Sequence, residues 1–349
     1  MSRNGAVSEV LRFGVPRGGR IEGPANEFLS SCGLRVRRES DRQLTATVSG
    51  LAGVTVILQR QRDIMTQVAD GRVDIGICGL DTVHEHGVEG SDLVVLYPDL
   101  GFSYSRLSVE VPDSWIDVST LADLSDVAAG LREAGQELRV ATSFPNLARR
   151  FFYEKGITHF ALVPTEGGVE AAPSVGFADC VVDLVSTGVT LRENHLKVLR
   201  NGVILESVAC LVGNRRSLNA SAEKREITRH ILELIEARLR AQDYFSVTAN
   251  LRGESELEVA RALLAAPATR GMRGPTVSRV FTGAELDGAA AEPHWFAATI
   301  IVGAHTLQPA IDHLRAVGGS GMSVVPVRYL FDAHSHAFEG ALRVLGLHR

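Results

Sequence analysis

Short runs of β-branched residues alternate with helix-like segments over the first two thirds of the chain, and this alternation restricts the fold more than any other feature. It predicts parallel sheets covered by crossover helices. Strands are predicted at residues 11–15, 54–58, 75–78, 94–96, 107–111, 139–142, 160–163, 181–185 and 209–212, and helices at 25–32 and 146–155. A chain of 349 residues exceeds one ordinary core, so we expect two or three domains. The Asp-, Ser-, Ala- and Gly-rich segment 113–130 is the expected crossing from one lobe to a second.

The pattern changes after Asn214. Ser221 can cap a helix whose apolar residues recur at helical spacing between Ile227 and Leu239. The elements predicted beyond it are strand 245–249, a helix opened by a capping box at 255–258, strands 277–281 and 297–302, helix 307–317 and strand 322–327. This β-α-β-β-α-β order is that of the ferredoxin-like fold.

The charge balance excludes a general nucleic-acid binder. Lys and Arg number 36 against 41 Asp and Glu, which gives a net charge of −5 without a basic stripe. Any polyanion that the protein binds must therefore be small and held locally. No apolar run approaches the roughly 18 residues of a membrane span, and the first ten residues lack the apolar core of a secretory signal. We therefore expect a cytoplasmic protein that binds neither nucleic acid nor membrane.

The cysteines and histidines do not define a metal site. The four cysteines are widely spaced and form no C-x-x-C pair: Cys32, Cys78, Cys180 and Cys210. Cys180 and Cys210 lie in predicted strands and are expected to be buried. The segments His84-Glu85-His86 and His334-Ser335-His336 could supply metal ligands, but histidines two residues apart in a polar loop are more often solvated. The metal ligands therefore stay unassigned.

The most informative stretch runs from Glu170 to Leu191. Strand alternation places Asp179 and Asp183 on one face. The loop that follows offers hydroxyls and backbone N–H groups around a glycine: Ser186, Thr187, Gly188, Val189 and Thr190. Such a loop can bind phosphate without lysine. A strand with a polar turn is the ordinary alternative, but unpaired carboxylates on an apolar strand are costly. The pattern therefore favours a phosphorylated sugar, with its hydroxyls at the carboxylates and its 5′-phosphate in the loop.

A second group of polar residues follows three predicted strands in the N-terminal part. Its members are Arg17, Arg20, Arg60, Gly79 and Asp81. Arginines bind phosphate oxygens in a bidentate manner. If these strand ends face the loop at 186–190, one cleft holds two phosphate sites. A surface ion pair is the alternative for each arginine.

Residues Glu170 to Leu191 resemble, position by position, the signature of the ATP phosphoribosyltransferase family of histidine biosynthesis. Further segments are similar to family motifs: Arg60 to Ile64, Asp74 to Asp81, Arg139 to Leu147 and Gly167 to Glu170. The similarity covers about residues 10–218. Residues 274–277 and 314–321 resemble the histidine-sensing domain of the family's long form.

The resemblance implies a reaction and a set of site residues. Adenine N1 of ATP attacks C1′ of phosphoribosyl pyrophosphate, giving N1-(5-phosphoribosyl)-ATP and pyrophosphate, with Mg²⁺ on the leaving group. Asp183, supported by Asp179 or Glu170, is expected at the ribose hydroxyls, and residues 186–190 at the 5′-phosphate. ATP or pyrophosphate is expected at Arg17, Arg20, Arg60, Gly79, Asp81 and Arg106. No general base is assigned, because adenine N1 carries a free lone pair.

The resemblance also implies the domain organisation. We expect a two-lobed, periplasmic-binding-protein-like catalytic core, with lobe I at 1–107 and 205–218 and lobe II at 108–204. A linker helix and a ferredoxin-like (ACT-like) regulatory domain are expected at 219–349. Free histidine is the expected allosteric inhibitor, and the expected assembly is a homo-oligomer between dimer and hexamer.

Three positions depart from the family pattern. Residues 103–106 read Ser-Tyr-Ser-Arg where the family has G-x-C-R, Arg17 replaces a lysine, and Gly318-Gly319 replaces G-A. Two alternative functions therefore stay open. One is a paralogue that transfers phosphoribose to another base. The other is a non-catalytic protein that binds or senses a small ligand, although such a protein needs no phosphate-binding loop beside two acids.

Overall fold

A computed structural model describes residues 10–40, 42–87, 90–165, 167–281 and 294–347. Nine of the ten N-terminal residues considered for a secretory signal lie outside these ranges. The described residues up to Glu233, together with those from His336 onward, form one unit, and Leu234–Ser335 forms a second. Among the described residues, no helix is long and apolar enough to cross a membrane.

The first lobe of the first unit is built on a seven-stranded sheet. Its strands are β1 (Leu11–Pro16), β2 (Val36–Arg37), β3 (Thr45–Val48), β4 (Val54–Gln59), β5 (Ile75–Gly79), β6 (Leu93–Tyr97) and β12 (Ala209–Asn214), in the spatial order β2-β3-β4-β1-β5-β12-β6. The helices α1 (Glu22–Ser31), α2 (Gln61–Ala69) and α3 (Leu80–His86) connect them. The central strands are almost wholly buried, as their continuous apolar runs require.

The second lobe is built on a five-stranded sheet. Its strands are β7 (Ser105–Pro112), β8 (Leu138–Thr142), β9 (Phe160–Pro164), β10 (Cys180–Val185) and β11 (Leu196–Ser207), in the order β11-β7-β10-β8-β9. The helices are α4 (Leu121–Glu133), α5 (Pro145–Glu154) and α6 (Val189–Glu193), with a 3₁₀ turn at Val169–Ala171. Two α/β lobes connected in this way form the expected two-lobed core.

Two expectations about the core are wrong. The sheets are mixed, because β7 pairs antiparallel with β10 and β11, and β12 pairs antiparallel with β5 and β6. The chain crosses between the lobes from β6 to β7 and returns from β11 to β12, so the crossing does not lie at 113–130. That segment instead leads into α4, because Thr120 and Asp123 form a capping box at its first turn.

Glu85 of α3 fastens the first lobe to the second. Its carboxylate is buried and accepts the backbone N–H groups of Asn146 and Leu147, both at 2.9 Å. These N–H groups belong to the first turn of α5 and have no acceptor within that helix. A carboxylate at this position also complements the positive end of the helix dipole. The segment considered for metal binding at His84–His86 therefore contains a structural acid.

Asp74 anchors the helices that follow β12. Its fully buried carboxylate accepts Arg12 Nη2 at 2.9 Å and Lys224 Nζ at 3.0 Å, and it also accepts the Ser217 hydroxyl. Burial alone would raise the pKa of Asp74, but these donors hold it below its usual value. The anchored helices are α7 (Arg215–Ala220) and α8 (Ala222–Ala241).

The second unit has the predicted β-α-β-β-α-β order. Its elements are β13 (Tyr244–Gly253), α9 (Glu256–Leu264), β14 (Thr276–Val280), β15 (His294–Gly303), α10 (Ala304–Ala316) and β16 (Ser320–Pro326). The antiparallel sheet has the order β14-β15-β13-β16, which is the ferredoxin-like topology. Ser255 caps α9 by accepting the N–H of Glu258, as the capping box predicts.

The division of the chain differs from the expected C-terminal part at 219–349. Residues 219–233 and the last helix, α11 (His336–Leu345), belong to the first unit. Two hydrogen bonds attach α11 there, from Arg215 Nε to the carbonyl of Val344 and from Asn219 Nδ2 to that of Leu345. The chain thus leaves the first unit within α8 and returns to it after the ferredoxin-like unit.

Candidate active site

A cavity opens in the second lobe where β10 runs into α6. The residues that line it are Glu110, Glu170, Asp183, Leu184, Val185, Ser186, Thr187, Gly188, Thr190 and Leu191. Most of them fall in the stretch that the sequence singled out. The cavity therefore brings the predicted acids and the predicted phosphate loop to one place.

The pairing of β7 with β10 builds the floor of this cavity. In the antiparallel register Asp183 lies opposite Ser108, and Val181 lies opposite Glu110. Side chains of opposed residues share a face, so Glu110 and Asp183 are diagonal neighbours, within reach of each other for long side chains. The opposite face of the same strands, with Cys180 and Val182, is core.

Glu170 reaches the cavity from the 3₁₀ turn at Val169–Ala171. Val169 and Ala172 on either side of it are buried against Val181 of β10. This apolar contact fixes the turn against the strand and leaves the intervening Glu170 in the lining of the cavity. Three acids thus line one cavity: Glu110, Glu170 and Asp183.

The acids differ in their tendency to ionise. Burial, followed by the negative charges of Asp183 and Glu170, raises the pKa of Glu110 to about 9. Burial also raises the pKa of Asp183, but only to about 6, because the N–H of Leu184 and the charge of Arg20 favour its ionised form. At neutral pH the floor therefore carries an ionised Asp183 beside a protonated Glu110.

The loop after β10 has the conformation that a phosphate site requires. Gly188 has a φ of 71°, in the left-handed region, and precedes the first residue of α6. The first N–H groups of such a helical turn have no acceptor within the helix. Ser186, Thr187 and Thr190 are exposed, so their hydroxyls are accessible from solvent. The loop can therefore surround an anion with hydroxyls and N–H groups and no lysine.

Arg20 approaches this site from the first lobe. Its Nη2 donates to the hydroxyl of Ser105 at 3.2 Å, and its charge acts on Asp183. Ser105 is buried at the start of β7, where the family motif has cysteine. A hydroxyl is a better acceptor than a thiol, so the departure at Ser105 gives Arg20 a fixed partner.

A second cavity adjoins the first and shares Val185 and Ser186 with it. Its other lining residues are Tyr104, Ser105, Arg106, Glu206 and Ser207. The exposed ring of Tyr104 is held by its hydroxyl, which contacts both carboxylate oxygens of Asp99 at 3.0 and 3.2 Å. Ser207 donates to the buried carboxylate of Asp81 at 2.5 Å. Asp81 therefore supports the wall of this cavity from behind.

Several predicted site residues lie elsewhere. Asp179 precedes β10, and its carboxylate forms an ion pair with Arg139 at 2.8 Å, which holds the pKa of Asp179 below its usual value despite partial burial. Neither cavity is lined by four further predicted residues: Arg17, Arg60, Gly79 and Val189. Arg17 donates to the carbonyl of Gln43 at 3.4 Å. Gly79 is needed for packing, because a Cβ there would lie 2.2 Å from Asp81 Oδ1.

Sequence reasoning missed Glu110 and Ser108. The available signal was an acid inside the apolar run of β7, the same kind of signal that selected Asp183.

Among the described residues, no group of three or more His, Cys, Asp or Glu side chains is arranged to hold a metal ion. All four cysteines are free and buried, so the prediction for Cys180 and Cys210 is confirmed.

Comparison with known proteins decides the family. A model described as ATP phosphoribosyltransferase matches residues 60–237, and one described as the C-terminal domain of HisG matches residues 241–329. ATP phosphoribosyltransferase 1, chloroplastic, of Arabidopsis thaliana is 38% identical over 341 residues, or 97% of this chain and 82% of the relative. The chain belongs to the ATP phosphoribosyltransferase family. It is therefore a pentosyltransferase of the first step of histidine biosynthesis.

Further ATP phosphoribosyltransferases match over similar lengths. That of Bradyrhizobium diazoefficiens is 36% identical over 335 residues, which cover 95% of this chain and 97% of the relative. The solved structure of the ATP phosphoribosyl transferase (HisG:HisZ) complex from Thermotoga maritima includes a similar chain, with a TM-score of 0.51 and 28% identity. That match covers 65% of this chain and 99% of the other. The family resemblance inferred from the sequence is confirmed.

Proposed function

We propose that the chain transfers the phosphoribosyl group of phosphoribosyl pyrophosphate to ATP in the cavity between Asp183 and the loop at 186–190. One observation carries this proposal: the carboxylate of Asp183 and a loop of hydroxyls and N–H groups without lysine line the same cavity. Only two residues of chain, Leu184 and Val185, separate Asp183 from the start of that loop. A ribose 5-phosphate has hydroxyls and a phosphate at opposite ends, which matches this arrangement.

The two ends of the sugar phosphate bind by different means. Asp183 and Glu170 accept hydrogen bonds from the ribose hydroxyls, and each bond to a charged acceptor contributes about 1.5–3 kcal/mol. The hydroxyls of Ser186, Thr187 and Thr190, with the N–H groups around Gly188, donate to the 5′-phosphate. These contacts fix C1′ and exclude water from it. A fixed position is valuable because the nucleophile is weak.

The reacting bonds lie toward the first lobe in this proposal. Adenine N1 forms its bond to C1′ with its own lone pair, while the bond from C1′ to the pyrophosphate oxygen breaks and its electron pair leaves with pyrophosphate. Arg20 and Arg106 neutralise the phosphates of ATP and of the leaving group. Mg²⁺ is expected to arrive bound to the pyrophosphate of the substrate and to neutralise its charge. No protein ligand to the metal is assigned.

The acceptor is tested by mixing the protein with phosphoribosyl pyrophosphate, Mg²⁺ and ATP and measuring both pyrophosphate and the ultraviolet-absorbing adduct. We expect equal amounts of the two products with ATP and neither product when GTP replaces ATP. Adduct formed only with another base would establish the paralogue function. Binding of the sugar pyrophosphate without turnover of any base would instead support a non-catalytic protein.

Regulation by histidine belongs to the ferredoxin-like unit in this proposal. None of the described residues of that unit lines either cavity, so the unit is available to bind an effector. Free histidine binds there, in a homo-oligomer of two to six chains, and favours an assembly whose lobes cannot close. Linkage requires histidine to bind the two states with different affinity, typically by about 1–3 kcal/mol. The free cysteines are consistent with a cytoplasmic location.

The histidine proposal is tested on the full chain by measuring initial rates at several concentrations of histidine and of each substrate. We expect inhibition that saturating phosphoribosyl pyrophosphate does not relieve, and a change of sedimentation coefficient when histidine is added. Inhibition that excess phosphoribosyl pyrophosphate abolishes would place histidine in the catalytic cavity and contradict the allosteric site.

A further inference from the structure

Glu110 is an acid that the mechanism above does not use. It is 1% exposed, yet it lines the cavity, and Ser108 Oγ donates to its Oε1 at 3.3 Å. On β11, the register partner of Glu110 is the apolar residue Val198. A carboxyl group buried among apolar strands is costly unless it is neutral or partnered. Its burial on the cavity floor therefore requires an explanation.

The groups around Glu110 favour its neutral form. Asp183 of β10 and Glu170 of the 3₁₀ turn face it and are both acids. Cys180 of β10 is also within its electrostatic reach, and burial raises the pKa of that thiol as well. Arg20 acts on Asp183, whereas among the described residues no cation contributes to the pKa of Glu110, which rises to about 9. Glu110 therefore carries no charge at neutral pH.

We propose that Glu110 is a positioning residue of the phosphoribosyl site, whose buried neutral carboxyl lies diagonal to Asp183 across β7 and β10 and keeps the cavity floor from gaining another negative charge. This inference rests on the proposed function, because it assigns a role within the same cavity. When Glu110 loses its proton to solvent, a new charge repels both Asp183 and the anionic sugar pyrophosphate.

The test is the pH dependence of kcat/KM for phosphoribosyl pyrophosphate in the wild type and in Glu110→Gln, which has the same shape and cannot ionise. With a pKa of about 9, only about one tenth of Glu110 is protonated at pH 10, so we expect about a tenfold fall from pH 7.5 to pH 10 in the wild type. The same ratio should be close to 1 in Glu110→Gln. Ser108→Ala removes a donor to the ionised form, so it should move the alkaline fall to higher pH.

A second measurement does not depend on activity. The infrared spectrum of the wild type at pH 8 should contain the band of a protonated carboxyl group. Glu110→Gln should lack this band, and Ser108→Ala should retain it. An unchanged alkaline fall in Glu110→Gln, or the absence of that band from the wild type, would overturn the role of Glu110. Failure of the wild type to bind phosphoribosyl pyrophosphate at pH 7.5, with the band present, would count against the proposed function instead.

Discussion

Asp183→Asn should impair the use of phosphoribosyl pyrophosphate far more than the binding of ATP. The amide keeps the shape of the side chain on the floor of the cavity but removes its charge. Asp183 is the acid that Arg20 and a backbone N–H keep ionised at neutral pH, so the wild type offers a charged acceptor to the ribose hydroxyls. Loss of a charge-assisted hydrogen bond costs about 1.5–3 kcal/mol. We therefore expect kcat/KM for phosphoribosyl pyrophosphate to fall about 10- to 150-fold, with a much smaller change in ATP binding.

The pH dependence sharpens this prediction. With a pKa of about 6, Asp183 is almost fully ionised at pH 7.5 and only about one tenth ionised at pH 5. The ratio of kcat/KM for phosphoribosyl pyrophosphate between the wild type and Asp183→Asn should therefore fall about tenfold from pH 7.5 to pH 5. The assay is steady-state kinetics with each substrate varied in turn, together with calorimetric titration of phosphoribosyl pyrophosphate at both pH values.

Asp179→Asn is the matched control. This substitution makes the same chemical change four residues away on the same chain segment, at an acid paired with Arg139. Because the pair is partly exposed, we expect a loss of about 1 kcal/mol or less in unfolding free energy and little change in kinetics. Equal kinetic defects in the two variants, or unchanged kinetics in Asp183→Asn, would refute the assignment of the ribose site to Asp183.

Two further substitutions test the loop and the connection between the lobes. Gly188→Val should raise KM for phosphoribosyl pyrophosphate more than Thr187→Val does, because a β-branched residue disfavours a φ of 71° even though its Cβ would meet no atom within 4 Å. Equal KM values in the wild type and Gly188→Val would place the phosphate elsewhere. Glu85→Gln should lower the free energy of unfolding in urea by about 1–3 kcal/mol, since two N–H groups of α5 lose a charged acceptor. An unchanged urea midpoint and slope would contradict the role of Glu85.

The sequence predicted the parts of the site that are contiguous along the chain. Asp183 and the loop at 186–190 follow one another, so strand alternation and turn chemistry were enough to group them. The order of helices and strands in the ferredoxin-like unit could be predicted for the same reason, because the hydrophobic periodicity and the N-cap at Ser255 are local signals. Local signals also gave most strand positions, with ends displaced by one or a few residues.

The missed parts depend on strand pairing. Glu110 reaches Asp183 only through the antiparallel register of β7 with β10, and no local pattern specifies which strands pair. Asp179 shares the periodicity of Asp183, but its carboxylate accepts hydrogen bonds from Arg139 of the neighbouring strand β8. The alternation of strands and helices predicted parallel sheets, whereas the two crossings between the lobes require antiparallel strands at β7 and β12.

A crystal structure with phosphoribosyl pyrophosphate bound would show directly whether Asp183 and the loop at 186–190 hold the sugar phosphate. We predict ribose hydroxyls within hydrogen-bond distance of Asp183 and 5′-phosphate oxygens at the N–H groups and hydroxyls of residues 186–190. The pyrophosphate should point toward Arg20. A sugar pyrophosphate bound beside Arg17 and Arg60, with nothing between Asp183 and Gly188, would contradict this placement of the substrate.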